Sequence, residues 1–370
     1  MLKNIAKIAT CIIVIVVCSK GYSQVQEEIT NRECVLDGKV SIIDSLIFDI
    51  PNIPPLCNEF KGEKKRIDIE GCELYVETEG KGTSLVLLHG GPGSTHHEFH
   101  PYFYQAAEFA KVIYYDQRGC GLSDYEKNGG YSVEQAVDDL EKLRNRLGIE
   151  KWIVLGHSYG GLLAQCYALK FPESVMGLIL VCAKPGINTD FGKSRQDTFI
   201  SEQESQKIFQ LKIKYFTGQI SMQQLIYNVF LNGDWKRQHF YKPSKEEIAR
   251  AALYNWVHDE EFNKVMSLSA GEIDLTGAFK NCPIPTLIIE STWDLTWGVE
   301  KTQIFSKNHP NARLVIFKHS GHSPFRDEQE KFFQILEEFI KKLNDVDKDK
   351  ISKWKFYTDK MNVFKNQREL

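Results

Sequence analysis

The chain has no apolar run long enough to cross a bilayer. Its longest N-terminal one, Ile8 to Cys18 with Thr10 inside it, covers 11 residues, against the roughly 20 a membrane-spanning helix needs. It also lacks a strong charge of either sign: the formal net charge is -3, which provides no field for nucleic acid or for an anionic membrane surface. No CxxC pair or Cys/His spacing suggests zinc, and there is no internal repeat or low-complexity segment. His89, His96, His97 and His100 are crowded but straddle a Gly-Pro-Gly turn without a helical register. No metal and no cofactor are therefore expected. Partners are expected to be small or neutral, with no nucleic acid among them.

What is present fits a globular protein. With 370 residues, 42% hydrophobic and 26% charged, the sequence is long enough to bury a sizeable core in one large domain carrying an insertion, or in two domains. The first 23 residues read as a cleavable export signal. Lys3 and Lys7 precede the apolar run, and Gly21-Tyr22-Ser23 puts small residues at the -3 and -1 positions before Gln24. The expected location is periplasmic or secreted, with no stable membrane span after cleavage. Lipid anchoring at Cys18 is a weaker alternative, because Val17 is bulkier than the small residue that processing prefers. Of nine cysteines, Cys11 and Cys18 leave with the signal, and the odd remainder leaves at least one free thiol. Cys34 and Cys57 are expected to form a disulfide worth about 3 kcal/mol. Cys166 and Cys182 lie in apolar patterns and are expected to pack as small hydrophobes.

The pattern then alternates strand and helix. Arg66–Ile69 and Glu73–Thr78 read as a hairpin, Ser84–Leu88, Val112–Tyr115, Trp152–Leu155 and Val175–Val181 as buried strands, and Ser132–Leu147 as an amphipathic helix capped by Ser132. A second helix runs from near Ser158 to Phe171. Strand signals vanish between 184 and 280, where a helical cap is expected. They return at Pro285–Ile289 and Arg313–Phe317, with a helix near Glu300–Lys307 between them and an amphipathic helix over Arg326–Leu343 after them. The expected organisation is a signal at 1–23, an extension at 24–65, a core at 66–183 and 281–345, the cap at 184–280 and a tail or appended helix at 346–370. The fold class is α/β: a mostly parallel central sheet flanked by helices.

Gly156-His157-Ser158-Tyr159-Gly160 matches G-x-S-x-G between a buried strand and a helix. That context makes Ser158 the candidate nucleophile on a sharp strand-to-helix turn, with glycines two residues to either side to avoid clashes. A serine hydroxyl needs a base, and the base needs an acid to fix its tautomer. In this fold the acid and then the base follow the serine. His322, in Ser320-Gly321-His322-Ser323, is favoured over His319 as the base. Asp294, five residues after the strand ending at Ile289, is favoured over Glu290 as the acid. The oxyanion donors are expected to be the backbone N–H groups of Tyr159, at a helix start, and of Gly91, in the turn His89-Gly90-Gly91-Pro92-Gly93.

Together with Asp116-Gln117-Arg118-Gly119-Cys120-Gly121-Leu122-Ser123, these segments resemble the proline iminopeptidase-like serine peptidases of the α/β-hydrolase superfamily over about Arg66 to Leu343. The resemblance implies a triad of Ser158, Asp294 and His322, an oxyanion hole at Gly91 and Tyr159, a cap that walls the substrate site, and a loop held by Asp116 and Arg118. It also implies release of an N-terminal proline or another small residue from short peptides. Two positions depart from the family pattern: Val257 stands where a cap glutamate for the substrate amine is expected, with Asp259, Glu260 and Glu261 nearby, and Ser291 stands where a glycine is usual. A small ester or amide is the alternative substrate, and a non-catalytic binding protein the alternative class. The substrate-binding residues are not legible.

Overall fold

The computed structural model describes residues 50–56, 60–126, 131–183, 186, 200–343, 348–359 and 363. The export signal, Cys18 and the Cys34–Cys57 pair lie outside these. Among the described residues, no helix is long and apolar enough to cross a membrane.

Eight strands form one sheet: β1 Glu63–Asp68, β2 Glu73–Glu79, β3 Ser84–Leu88, β4 Lys111–Tyr115, β5 Trp152–His157, β6 Val175–Val181, β7 Thr286–Ser291 and β8 Ala312–Phe317. Their spatial order is β1-β2-β4-β3-β5-β6-β7-β8. The β1–β2 and β2–β4 pairings are antiparallel, and every pairing from β4 to β8 is parallel. The strands read as unbroken apolar runs because both faces are covered. Val86, Leu88, Val154, Leu178 and Leu180 point into one cluster, with α1 (Val133–Arg146) and α2 (Tyr159–Lys170). Leu85, Leu87, Ile153, Leu155 and Ile179 point into the other, with Phe99, Phe103, Phe325 and Phe332. On α1, Val133, Val137, Leu140 and Leu143 make the buried stripe, and the Ser132 side chain accepts the Gln135 N–H as N-cap. Cys166 and Cys182 are buried free thiols, and burial raises the Cys182 pKa well above the ordinary thiol value.

Besides β1, which begins at Glu63 rather than Arg66, three features differ from the sequence expectation. Two 3₁₀ helices, His96–Phe99 and Tyr102–Glu108, follow the glycine-rich turn, where no element was expected. The helix expected over Arg326–Leu343 is broken: Pro324–Asp327 is followed by Gln329–Lys341, with Glu328 between them at φ -124, ψ 56. The Glu328 carboxylate is committed to the preceding loop, accepting the His319 N–H at 2.9 Å and the Ser320 hydroxyl at 2.7 Å. β5 and β7 each run two residues further than expected, which puts Glu290 inside a strand.

The protein divides into two compact units. Of the described residues, one holds 50–56 with Ile200–Trp235 and Pro243–Leu253, and the other holds the rest. The stretch expected as a cap is thus shared between them. In the first unit, helices Glu202–Phe216, Met222–Leu231 and Lys245–Arg250 each begin with a reciprocal capping box, Ser201 with Glu204, Ser221 with Gln224 and Ser244 with Glu247. In the second, helix Lys348–Asp359 follows the last strand and its helices, and its Trp354 is buried and donates its indole N–H to the Ala278 carbonyl at 2.9 Å.

Candidate active site

Ser158 sits between the end of β5 and the first residue of α2 with φ 55 and ψ -121, a left-handed conformation that costs a non-glycine residue energy. The turn closes only because its flanking glycines are bare. A Cβ on Gly160 would lie 2.1 Å from the Leu88 carbonyl oxygen, and one on Gly156 would lie 2.2 Å from the Gly160 carbonyl oxygen. The Ser158 N–H donates to the Val181 carbonyl at 3.0 Å, which ties the turn to the neighbouring strand end.

The glycine-rich turn comes from the end of β3, next to β5. Gly91 has φ 114, and a Cβ there would lie 2.4 Å from the Gly93 nitrogen. Only glycine fits both demands. A Cβ on Gly90 would lie 3.1 Å from the Ser158 Cβ, so this backbone runs directly alongside the serine. Beneath it, the His89 ring accepts the Gln117 N–H at 3.0 Å, and the Gln117 amide donates to the His89 carbonyl at 3.1 Å.

His322 and Asp294 arrive from loops after β8 and β7. The His322 Nδ1–H donates to Asp294 Oδ2 at 3.0 Å, and both side chains are buried. Asp294 Oδ1 accepts the Thr296 N–H at 2.8 Å, which fixes the carboxylate plane. Burial alone would disfavour both charges, but the pair outweighs it: the Asp294 pKa is lowered, and that of His322 is raised with a smaller contribution from Glu98. Glu290 goes the other way. Burial, and then the charge of Asp294, push its pKa well up, and it spends its oxygens on the Thr302 hydroxyl at 2.6 Å and the Ser291 N–H at 2.8 Å. His319 is exposed and near the Phe240 ring. The loop of His322 is pinned at every residue: Gly321 N–H to Asp327 at 2.8 Å, His322 N–H to the Gln238 carbonyl at 2.6 Å, and the His322 carbonyl to His157 Nε2 at 2.8 Å.

The Asp116–Ser123 segment follows β4, next to β3 and its glycine-rich turn. Asp116 accepts the His96 N–H and its Nδ1–H, each at 2.8 Å, and the Leu122 N–H at 2.8 Å. The Arg118 guanidinium grips Asp139 of α1 with two bonds, of 2.8 and 2.9 Å. Of the crowded histidines, His96 and His100 come together with Glu77 closely enough to share a metal ion. Their bonds are those of a buried polar network, with His100 Nε2 at 2.8 Å from Glu77 and the Tyr75 hydroxyl donating to Glu77 at 2.6 Å. Asp259 is likewise engaged. It caps helix Glu260–Gly271 by accepting the Glu261 N–H at 3.0 Å, and it accepts the Tyr131 hydroxyl at 2.9 Å.

Sequence reasoning missed two residues of this centre, Glu98 and His157. His157 occupies a variable position of the serine motif, and Glu98 lies on a one-turn helix with no periodic signal, so neither stood out.

Comparison with known proteins gives the family and the fold. The alpha/beta hydrolase fold family matches residues 83–329. A proline iminopeptidase of Saccharolobus solfataricus is 30% identical over 284 residues, covering 74% of this chain and 90% of that protein. Another, from Lactobacillus delbrueckii subsp. bulgaricus, is 30% identical over 296 residues, covering 75% and 97%. Among solved structures, an esterase from Exiguobacterium antarcticum superposes with a TM-score of 0.61 at 22% identity, over 75% of this chain and 100% of that one.

Proposed function

Since the chain belongs to the α/β-hydrolase fold family, and to the proline iminopeptidase-like group within it, we propose that it is a serine aminopeptidase that releases an N-terminal proline, or another small residue, from short peptides. The observation that carries this reading is the buried 3.0 Å bond from His322 to Asp294, presented at the same sheet edge as the strained Ser158 turn.

The chemistry follows from the residues. Asp294 holds the proton of His322 on Nδ1, which leaves Nε2 free to accept the Ser158 hydroxyl proton as Oγ attacks the carbonyl of the first residue. The new C–O bond pushes the carbonyl electrons onto oxygen, and the N–H groups of Tyr159 and Gly91 stabilise that charge. The dipole at the N-terminus of α2 adds to this. Collapse of the intermediate breaks the C–N bond, and His322 returns the proton to the leaving amine. Water then repeats the sequence on the acyl-enzyme. The charge and hydrogen bond of Asp294, which raise the His322 pKa against burial, stabilise the imidazolium formed at each attack.

A second reading has support of its own. Val257 replaces the expected amine-binding glutamate, and Asp259, the nearest substitute, is used as a helix cap. A carboxylesterase or amidase on the same three residues fits that feature. The two separate on a substrate pair: proline naphthylamide and nitrophenyl acetate. An aminopeptidase is expected to turn over the naphthylamide efficiently, and ester cleavage with no aminopeptidase action would select the second reading. Export, with cleavage after Ser23, is part of the proposal on the strength of the N-terminal sequence alone.

A further inference from the structure

Glu98 makes more bonds around the candidate centre than its place on a one-turn helix requires. Its Oε1 accepts the Gly90 N–H at 2.9 Å and faces His157 Nδ1 at 3.1 Å, and its Oε2 accepts the Ser94 hydroxyl at 2.7 Å. The other nitrogen of His157 faces the His322 carbonyl at 2.8 Å. Both partners of the His157 ring are oxygen atoms, so the ring bridges the Glu98 carboxylate to the His322 carbonyl.

We propose that Glu98 is a positioning residue of the hydrolytic site: one carboxylate that locks the Gly90–Gly91 turn, the strand end carrying Ser158 and, through His157, the loop carrying His322 into a single arrangement. This rests on the roles assigned above to Ser158 and His322. The three parts stand at the ends of three different strands, β3, β5 and β8. A Cβ built on Gly90 would touch Ser158 on one side, at 3.1 Å, and approach Glu98 Oε2 on the other, at 3.6 Å, so the carboxylate is only one layer behind the nucleophile. A loss of about 1 Å in the relative placement of reacting groups can cost a hundredfold in rate. Burial opposes the charge on Glu98, yet its neighbours, His157 first, keep its pKa lowered, so it stays a carboxylate that can accept all three bonds.

The test uses both substrates and two variants of the full-length protein. Glu98→Ala removes every acceptor and is expected to lower kcat about a hundredfold on the naphthylamide and on the acetate alike, with KM nearly unchanged. Glu98→Gln keeps an acceptor for Gly90 and is expected to recover most of kcat. The groups facing His322 are Asp294, His157, Glu98, His239 and Cys182. Of these, Glu98→Gln removes one negative charge, so the acid limb of its kcat/KM profile moves to lower pH. Wild-type kcat in Glu98→Ala, or a rise in KM confined to the naphthylamide, would overturn the proposal; the second result would make Glu98 a holder of the substrate amine. If Glu98→Ala does not fold, a folded Glu98→Gln whose kcat stays far below wild type overturns it as well, because the acceptor for the Gly90 N–H is retained in that variant. Failure of the aminopeptidase reading is separate, because the ester alone supports the whole comparison.

Discussion

Replacing Ser158 with alanine is expected to lower kcat about a millionfold on any substrate the protein turns over, while KM and the thermal midpoint stay close to wild type. The size follows from the loss of a triad nucleophile, after which only binding and the oxyanion donors remain. The fold should hold because alanine fills the same bare turn. Its Cβ takes the place of the serine's beside Gly90, and the φ of 55 is as strained for one residue as for the other. Steady-state kinetics with circular dichroism on the same samples checks both halves. A large fall in melting temperature would indicate that the hydroxyl is structural.

The second large effect is expected at Asp294→Asn. Asp294 Oδ1 is already held by the Thr296 N–H, so the asparagine oxygen stays there and its NH₂ turns toward His322. A donor now faces Nδ1, and the ring moves its proton to Nε2, where it blocks acceptance from serine. A loss of about ten-thousandfold in kcat is the scale for such a tautomer change. The pH dependence should move with it. With Asp294 neutralised, burial dominates at His322 and its pKa falls, so the acid limb of kcat/KM shifts to lower pH even as the plateau drops. Linkage gives the sign for stability. In the wild type, the raised His322 contributes stability that is present below its unfolded pKa and lost as pH rises through the folded one. The lowered Asp294 contributes above its unfolded pKa and loses that contribution as pH falls through the folded one. The pair therefore stabilises most between the carboxylate and imidazole ranges, and Asp294→Asn should flatten the melting temperature across that window.

The parts of this centre that could be read in the sequence are those built on local rules. Buried parallel strands show as continuous apolar runs, so Ser84–Leu88 and Val175–Val181 are found with their observed ends. The serine turn has glycines at fixed offsets because of the contacts measured at Gly156 and Gly160. The order Ser158, Asp294, His322 then narrows the acid and base to a few loop residues, and His322 rather than His319 is the histidine that meets Asp294. The parts that could not be read are held by bonds between residues far apart in the sequence. Nothing periodic marks Glu98 as the partner of His157, 59 positions away. Nor does a pattern show that Gln238, inside the expected cap, offers its carbonyl to His322. The break at Glu328 escapes for the same reason, since the amphipathic stripe continues through it while its carboxylate is claimed by His319 and Ser320. The three capping boxes, in contrast, are Ser-x-x-Glu/Gln signatures present in the sequence, and they would have bounded the helices between 201 and 250.

The central claim is that Ser158 is an activated nucleophile. The most direct measurement is to treat the folded protein with a fluorophosphonate probe and map the adduct by mass spectrometry. The account predicts a single adduct on Ser158, formed rapidly in wild type and nearly absent in His322→Ala. Folded protein that stays unlabelled, or that carries the adduct on a different serine, would contradict it.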